Sequence, residues 1–374
     1  MGDYMRRKNL TTNVIPVLSF FTGAGFLDIG FVQAGFQVVW TNECDPHFIK
    51  GYNHALSFLI GHECRITNTN PVEYIGPNQI IKEAFGKDRP KLFGIIGGPP
   101  CPDFSVGGKN KGQEGEHGKL SQVYIHRILE LQPAFFLFEN VPGFLRTAKH
   151  KEFFHHLLQQ LKSDYLVDYQ ILNALDAGVP QDRERLFIVG IHKKRMRKSC
   201  LKEAVSDPEW FPWYRYMKYP GAKDHYPWPG TSPFGNEPEK PEGIPAELMA
   251  GTYINNTLET ENLPNGRDYL LPRSAKLDQI PEGDVSRKSF KRLHRWRYSP
   301  TAAYGNNEVH LHPFEPRRLT VREALRLQSV PDSYALPRSM PLTKKYKTVG
   351  NGVPVKLAYA VAMSLQKIIK EWLL

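Results

Sequence analysis

Between residues 14 and about 192 the chain alternates short apolar runs with helical patterns, and this alternation limits its folding options more than any other feature. The runs are VIPVLSFF, QVVWTNE, KLFGIIGG, AFFLFENV and RLFIVGI, with amphipathic stretches such as YIHRILEL and EFFHHLLQQL between them. Apolar runs too short for buried helices, separated by helical segments, predict a parallel, doubly wound α/β sheet. Ligands of such sheets bind beyond the carboxyl ends of the strands, so the residues that follow each run are the candidates for chemistry.

Past Lys193 the pattern breaks. Lys193 to Lys198 carries five cations in six residues, and the Pro- and aromatic-rich stretch DPEWFPWYRYMKYPGAKDHYPWPG follows. A domain boundary is placed here: residues 1–192 with 341–374 form one domain, and residues 193–340 form a smaller, irregular domain with its hinge. RRLTVREALRLQSV predicts a helix starting after Thr320. Leu357, Ala360, Val361, Leu365, Ile368 and Trp372 give a last helix, from about Val355 to Trp372, one apolar face that is expected to pack on the first domain.

The net charge of +11 suits a polyanionic partner, although surplus lysine also serves solubility alone. Cys44, Cys64, Cys101 and Cys200 form no C-x-x-C pair, which argues against zinc and against a disulfide framework, so no metal is expected. The start, MGDYMRRKNLTTN, is polar and is not a signal peptide, and no apolar run reaches the roughly 18 residues of a membrane span. A cytoplasmic protein is expected.

Four constellations stand at strand ends. In Ser19-Phe20-Phe21-Thr22-Gly23-Ala24-Gly25-Phe26 a strand turns through two glycines into a helix, and about twenty residues on the next strand ends in Glu43. Glycine lets backbone approach a ligand, and an acid at that distance suits a ribose hydroxyl, so the pair suggests an adenosine-containing cofactor; a packing turn and a solvated acid remain the simpler reading. In Gly97-Gly98-Pro99-Pro100-Cys101-Pro102-Asp103-Phe104-Ser105 prolines stiffen the loop that presents Cys101, which suits a nucleophile, although a lone cysteine is more often an inert small hydrophobe. In Phe135-Phe136-Leu137-Phe138-Glu139-Asn140-Val141 an acid follows four apolar residues, where desolvation would raise its pKa and let it hold a proton near neutrality. In Gln181-Asp182-Arg183-Glu184-Arg185 two arginines share a side of an extended segment and could clamp a phosphate or base edge, with surface ion pairs as the alternative.

Taken in order, these segments resemble the motif series of the cytosine-C5 DNA methyltransferases of bacterial restriction-modification type: F-x-G-x-G, a strand-end Glu, G-G-P-P-C, E-N-V and Q-x-R-x-R. The likeness continues through Arg318-Leu319-Thr320-Val321-Arg322-Glu323, similar to the family's R-x-L-T-x-R-E block, and Gly350-Asn351-Gly352-Val353, similar to its closing G-N-x-V. The resemblance implies a Rossmann-like methyltransferase sheet with a smaller target-recognition domain, S-adenosylmethionine as methyl donor, and double-stranded DNA as substrate. It makes Cys101 the nucleophile and Glu139 the group that protonates N3 of a flipped cytosine. Asn140 supports Glu139, and Arg183 and Arg185 hold the flipped nucleotide and position the nucleophile loop. Phe21, Gly23, Ala24, Gly25, Glu43 and Asn351 fall to the cofactor, and Ser105 and Gln181 to the substrate.

Within the recognition segment, Arg287 to Arg297 has no acid and interleaves aromatics, so Lys288, Arg292 and Arg295 are expected to contact DNA phosphates; a solvated helical face is the alternative. Two positions depart from the family pattern. Arg65 stands where an acid commonly holds the cofactor's adenine, and Pro102 replaces a common Gln after the nucleophile. A tRNA cytosine methyltransferase of the same superfamily would share the catalytic motifs, but the Cys-Phe-Thr tripeptide of those enzymes is absent. A catalytically silent nucleic-acid-binding regulator is the rival from another class. A monomer is expected, paired in its system with a cognate restriction endonuclease.

Overall fold

The computed structural model describes residues 14–60, 65–100, 116–207, 209–254, 257–270, 277–287, 289–304 and 308–374. The first half runs β1 (Ile15–Phe20), α1 (Phe26–Gln33), β2 (Phe36–Asn42), α2 (Pro46–Ile60), α3 (Pro77–Phe85), β3 (Gly94–Gly97), α4 (Glu116–Leu131), β4 (Phe135–Asn140), α5 (Ala148–Lys162), β5 (Tyr165–Asn173) and β6 (Glu184–His192). The strands form one sheet in the order β2-β1-β3-β4-β6-β5. All five apolar runs are strands. The sixth strand, β5, escapes the sequence reading because it is an edge strand whose YLVDYQILN pattern is mostly half-buried.

The parallel sheet expected from the sequence needs one correction. Strands β2, β1, β3 and β4 pair in parallel, but β6 is antiparallel to both β4 and β5. Parallel neighbours need a long crossover, whereas β5 reaches β6 through a short turn at Ala174–Ala177 closed by Gly178 in the left-handed region. The reversal has a chemical effect: the start of β6, with Arg185, lies at the same sheet edge as the carboxyl ends of β1, β3 and β4. Register places Glu139 opposite Phe187 and Asn140 opposite Leu186.

Beyond the sheet come α6 (Lys198–Ser206), the short helices α7 (Ala222–His225), α8 (Gly251–Ile254) and α9 (Thr257–Glu261), a two-stranded pair β7 (Phe290–Arg292) and β8 (Val309–Leu311), then α10 (Val321–Arg326), α11 (Leu342–Asn351) and α12 (Val355–Trp372). Helix α10 starts where the sequence predicts. Thr320 caps it, accepting from Glu323 N while the Glu323 carboxylate accepts from Thr320 N. The last helix returns to the sheet as expected, and a Cβ on Gly30 of α1 would meet the Ala358 side chain of α12 at 2.5 Å.

Two apolar layers sandwich the sheet. One gathers Val17, Phe135, Val189 and the α12 face, and the other gathers Phe20, Trp40, Tyr124, Phe138 and the α5 leucines. The first layer also takes in Trp210, Phe211, Trp213 and Met217, so the aromatic stretch just past residue 193 packs on the sheet core. A third cluster joins Phe26 and Tyr52 to Ala302, Tyr304, Val321 and Tyr334. The rest of the segment past residue 218 has only small apolar clusters, such as Leu277, Ile280, Val309 and Leu311.

Candidate active site

The sheet order puts a switch point at β1 and β3: from β1 the chain moves outward to β2, and from β3 it moves the other way to β4. In open α/β sheets ligands bind at such a switch point, beyond the carboxyl ends of the strands, so the turn that follows β1 and the stem at residues 98–100 that follows β3 are the places to look. After β1 the backbone takes positive φ at Phe21 (52°), Gly23 (57°) and Gly25 (86°). The two glycines serve different ends. A Cβ on Gly25 would press on Leu56 and Tyr52, whereas one on Gly23 would meet nothing within 4 Å, so only Gly23 fronts open space.

Glu43 closes this turn. One carboxylate oxygen accepts from Gly23 N at 3.0 Å, and the other accepts from Cys44 N and Asp45 N, both at 2.8 Å. Three of about four acceptor positions are thus filled by backbone, and one remains for a hydroxyl. Burial pushes the Glu43 carboxyl up, against the pull of those N–H donors. Ala24 is buried, and its carbonyl accepts from the Tyr334 hydroxyl at 2.9 Å. Asn351 ends α11 and is exposed. Arg65 is exposed beside buried Ile66, on a segment tied to β2 by Asn42 Nδ2, which donates to the carbonyls of Asn68 and Asn70.

Asp28 was not singled out in the sequence and braces the whole turn. Its buried carboxylate accepts from Ser19 Oγ at 2.6 Å, from the Thr22 hydroxyl, and from Tyr52 OH at 3.1 Å. Burial raises its pKa despite these three donors. The signal was present in the sequence: an acid inside the apolar run FLDIGF, on a helix with no side-chain cap.

At the end of β4, Glu139 is buried and its Oε1 pairs with Arg185 Nε at 2.9 Å. Desolvation raises the Glu139 pKa, and the nearby Arg185 and Arg183 charges oppose that rise. Gly98 keeps the other oxygen accessible, since a Cβ there would sit 2.6 Å from Glu139 Oε2. Asn140 Nδ2 donates to Pro99 O at 3.2 Å and its Oδ1 accepts from Val141 N, which fastens the stem of the Pro-Pro-Cys loop to β4. Cys101 and Ser105 themselves lie outside the described residues, as does Lys288.

Four residues expected at the substrate have other work. Arg183 is fully buried, with Nη1 donating to Ala302 O at 3.1 Å and Nη2 to Gly350 O and Gly352 O at 2.6 and 2.9 Å. Those bonds staple the Ala302 segment to the G-N-G-V turn and occupy both Nη atoms, so that Nε alone is without a hydrogen-bond partner. Gln181 is buried beside it and accepts from Ala302 N at 3.4 Å. Arg292 sits neither on a helix nor at the surface: its guanidinium donates to the carbonyls of Leu277, Ile280, His312 and Glu315. Arg295 forks onto Glu282 at 2.9 to 3.2 Å and lies over the Phe314 ring. A charged side chain reads as exposed in a sequence, and only distant carbonyls and acids, brought in by the fold, reverse that.

A family model described as C-5 cytosine-specific DNA methylase matches residues 15–367. The chain belongs to this family. The methylase is 42% identical to Type II methyltransferase M.NmeDI of Neisseria meningitidis serogroup C, over 95% of this chain and 84% of that one. It is 31% identical to M.MthTI of Methanothermobacter thermautotrophicus, over 94% and 97% of the two chains. Among solved structures, a putative DNA modification methyltransferase encoded within an E. coli prophage superposes with a TM-score of 0.63 at 25% identity, covering 95% of this chain and 99% of that one. The S. pombe Dnmt2 methyltransferase shares the fold, with a TM-score of 0.60 at 15% identity over 96% and 99% of the chains. The protein is an enzyme that methylates cytosine at C5 in DNA, and its family implies S-adenosylmethionine as methyl donor. Among the described residues no helix is long and apolar enough to cross a membrane.

Proposed function

We propose that the methylase works through a covalent bond from Cys101 to C6 of a cytosine flipped out of duplex DNA, with Glu139 as the acid at N3. The observation that carries this reading is the convergence of the raised-pKa Glu139 carboxyl, its Arg185 partner and the Asn140-anchored Pro99 stem at one sheet edge. Cytosine C5 is a poor nucleophile. Attack by the Cys101 thiolate on C6 forms an S–C bond while N3 takes a proton from Glu139, and C5 gains enamine character. After methylation C5 loses its proton to solvent and that bonding pair forms the C5–C6 double bond; the S–C6 bond breaks with its pair returning to sulfur, and N3 gives its proton back to Glu139. Because the target is stacked in a helix, flipping costs a few kcal/mol, which contacts to the DNA must offset.

The Gly23 turn fits the methyl donor: it presents backbone to open space and leaves Glu43 one acceptor for a ribose hydroxyl. S-Adenosylmethionine supplies an electrophilic methyl group when bound there. Phe21 and Asn351 complete the proposed cofactor set, and Arg185 holds Glu139 in place while Arg183 fixes the hinge. Residues 193–340 form the target-recognition domain in this reading, one chain suffices for a turnover, the setting is cytoplasmic, and a restriction endonuclease of the same specificity is its counterpart.

The test is transfer of labelled methyl to duplex DNA carrying 5-fluorocytosine, with Cys101→Ala and tRNA in parallel. Fluorine blocks the final elimination, so a covalent protein–DNA adduct that needs both methyl donor and Cys101 is the expected outcome. Adduct on tRNA alone would replace the DNA reading, and binding with no adduct would favour a silent regulator.

A further inference from the structure

The run Lys193-Lys194-Arg195-Met196-Arg197-Lys198 lies at the end of β6, and because β6 is antiparallel it emerges at the sheet edge opposite the catalytic one. A six-residue strand spans ~20 Å, so this edge lies well away from the Glu139 site. None of the chemistry above uses it.

Three observations make it more than a solvated stretch. The run is fastened to the backbone of neighbouring segments: Arg195 donates to Lys91 O and to Gln132 O at 3.1 Å, and Lys193 Nζ donates to Lys162 O at 2.6 Å. Arg89 lies close enough that the Arg195 charge adds to burial in lowering its pKa. The hydrogen-bond partners of Arg89, Lys193 and Arg195 are neutral carbonyls; Asp164 is an acid beside them, its charge reaching Tyr165 and His192 as theirs does, but among the described residues no ion pair joins Arg89, Lys91, Lys162 or the cations of residues 193–198 to a carboxylate. Lys194, Arg197 and Lys198 are exposed, and Lys202 extends the patch one turn along α6.

Unpaired like charges gathered from separate segments repel one another, and a polyanion relieves that repulsion while releasing its own counterions. Residues 193–202 contain no aromatic side chain, so the patch offers charge without a stacking platform for unpaired bases. We infer that this patch is a second, sequence-independent binding surface for the phosphate backbone of duplex DNA, which lets the methylase hold another duplex segment while its catalytic edge engages a target. Such an enzyme passes between DNA segments without full release.

The experiment uses the full chain and Lys194→Glu/Arg197→Glu/Lys198→Glu, three exposed positions outside the catalytic and cofactor sites. Enzyme saturating an immobilised short duplex that it methylates is offered a second, labelled duplex of unrelated sequence. The wild type captures the second duplex, and the variant loses most of that capture while its turnover on the short duplex is unchanged. The slope of log affinity for unrelated duplex against log salt falls by about 3 in the variant, at roughly 0.9 per phosphate contact. Should turnover on the short duplex also fall, the Gln counterparts at the same positions repeat the comparison with less perturbation. Absence of capture by the wild type, equal capture by the variants, or capture of poly-glutamate in place of duplex would each overturn the inference. Turnover on the short duplex reports separately on the proposed catalytic function.

Discussion

The catalytic edge and the segment past residue 218 both contain buried arginines, and Arg185 in the one differs from Arg292 and Arg322 in the other. At the catalytic edge Arg185 meets a carboxylate, Glu139, whose protonation the reaction needs. In the later segment Arg292 donates to four backbone carbonyls, and Arg322, also fully buried, donates to those of Pro264, Pro331 and Tyr334. Burial lowers the pKa of both Arg292 and Arg322 to about 10, which still leaves them charged at neutral pH. The sheet half is held by apolar layers and can spend Arg185 on chemistry, while Arg183 ties it to carbonyls of the later segment. The later segment has few regular elements, so its backbone carbonyls lack ladder partners, and buried guanidiniums replace them.

The strongest break between the two regions should come at the catalytic edge. Glu139→Gln is expected to lower kcat by about 10² to 10⁴-fold, with DNA affinity nearly unchanged; a loss under tenfold in single-turnover assays would remove Glu139 from proton transfer. Arg292→Met should leave methyl-donor binding intact yet destabilise the later segment by about 3 kcal/mol or more, since several carbonyls lose their donor. Hydrogen exchange would show lost protection around Leu277, Ile280 and His312 first. Uniform loss across the sheet would erase the distinction.

Glu43→Gln removes a charged acceptor from the Gly23 turn and is expected to weaken S-adenosylmethionine binding about tenfold, read by calorimetry. The pH dependence sharpens the role of Arg185. Because the acid form of Glu139 acts and its pKa is raised in the fold, activity falls as pH rises through that folded value. Arg185 holds the pKa down, so Arg185→Met should move the alkaline limb of the single-turnover profile to higher pH. The smallest effect is expected at Arg295→Gln. Glu282 already neutralises Arg295, so the salt dependence of DNA binding should change by less than one phosphate's worth, about 0.9 in slope.

Much of the sheet half was legible because its physics is local. Five strands, the glycine turn and the α12 face each follow from periodicity or from a single turn of chain, as does the Thr320 cap outside that half. The upward direction of the Glu139 pKa was legible only in part: four apolar residues before it made desolvation one option and a strand-end acid facing water the other, and the fold buries it. What escaped was decided at long range. The reversal of β6 depends on a turn between β5 and β6, the burial of Arg183 on carbonyls some 120 to 170 residues away, and the fate of Arg292 on loops that carry no pattern. Asp28 was hidden differently, because one polar residue in an apolar helix reads as an interruption until its three hydroxyl donors assemble around it.

The arginine–carbonyl scaffold also bears on temperature. Exposing apolar surface raises heat capacity and exposing polar groups lowers it, so opening the later segment carries a smaller heat-capacity change per residue than opening the sheet layers. Its stability curve is correspondingly flatter. Cooling therefore weakens the apolar layers around Phe135 and Phe138, which carry the catalytic edge, more than the bonds around Arg292 and Arg322.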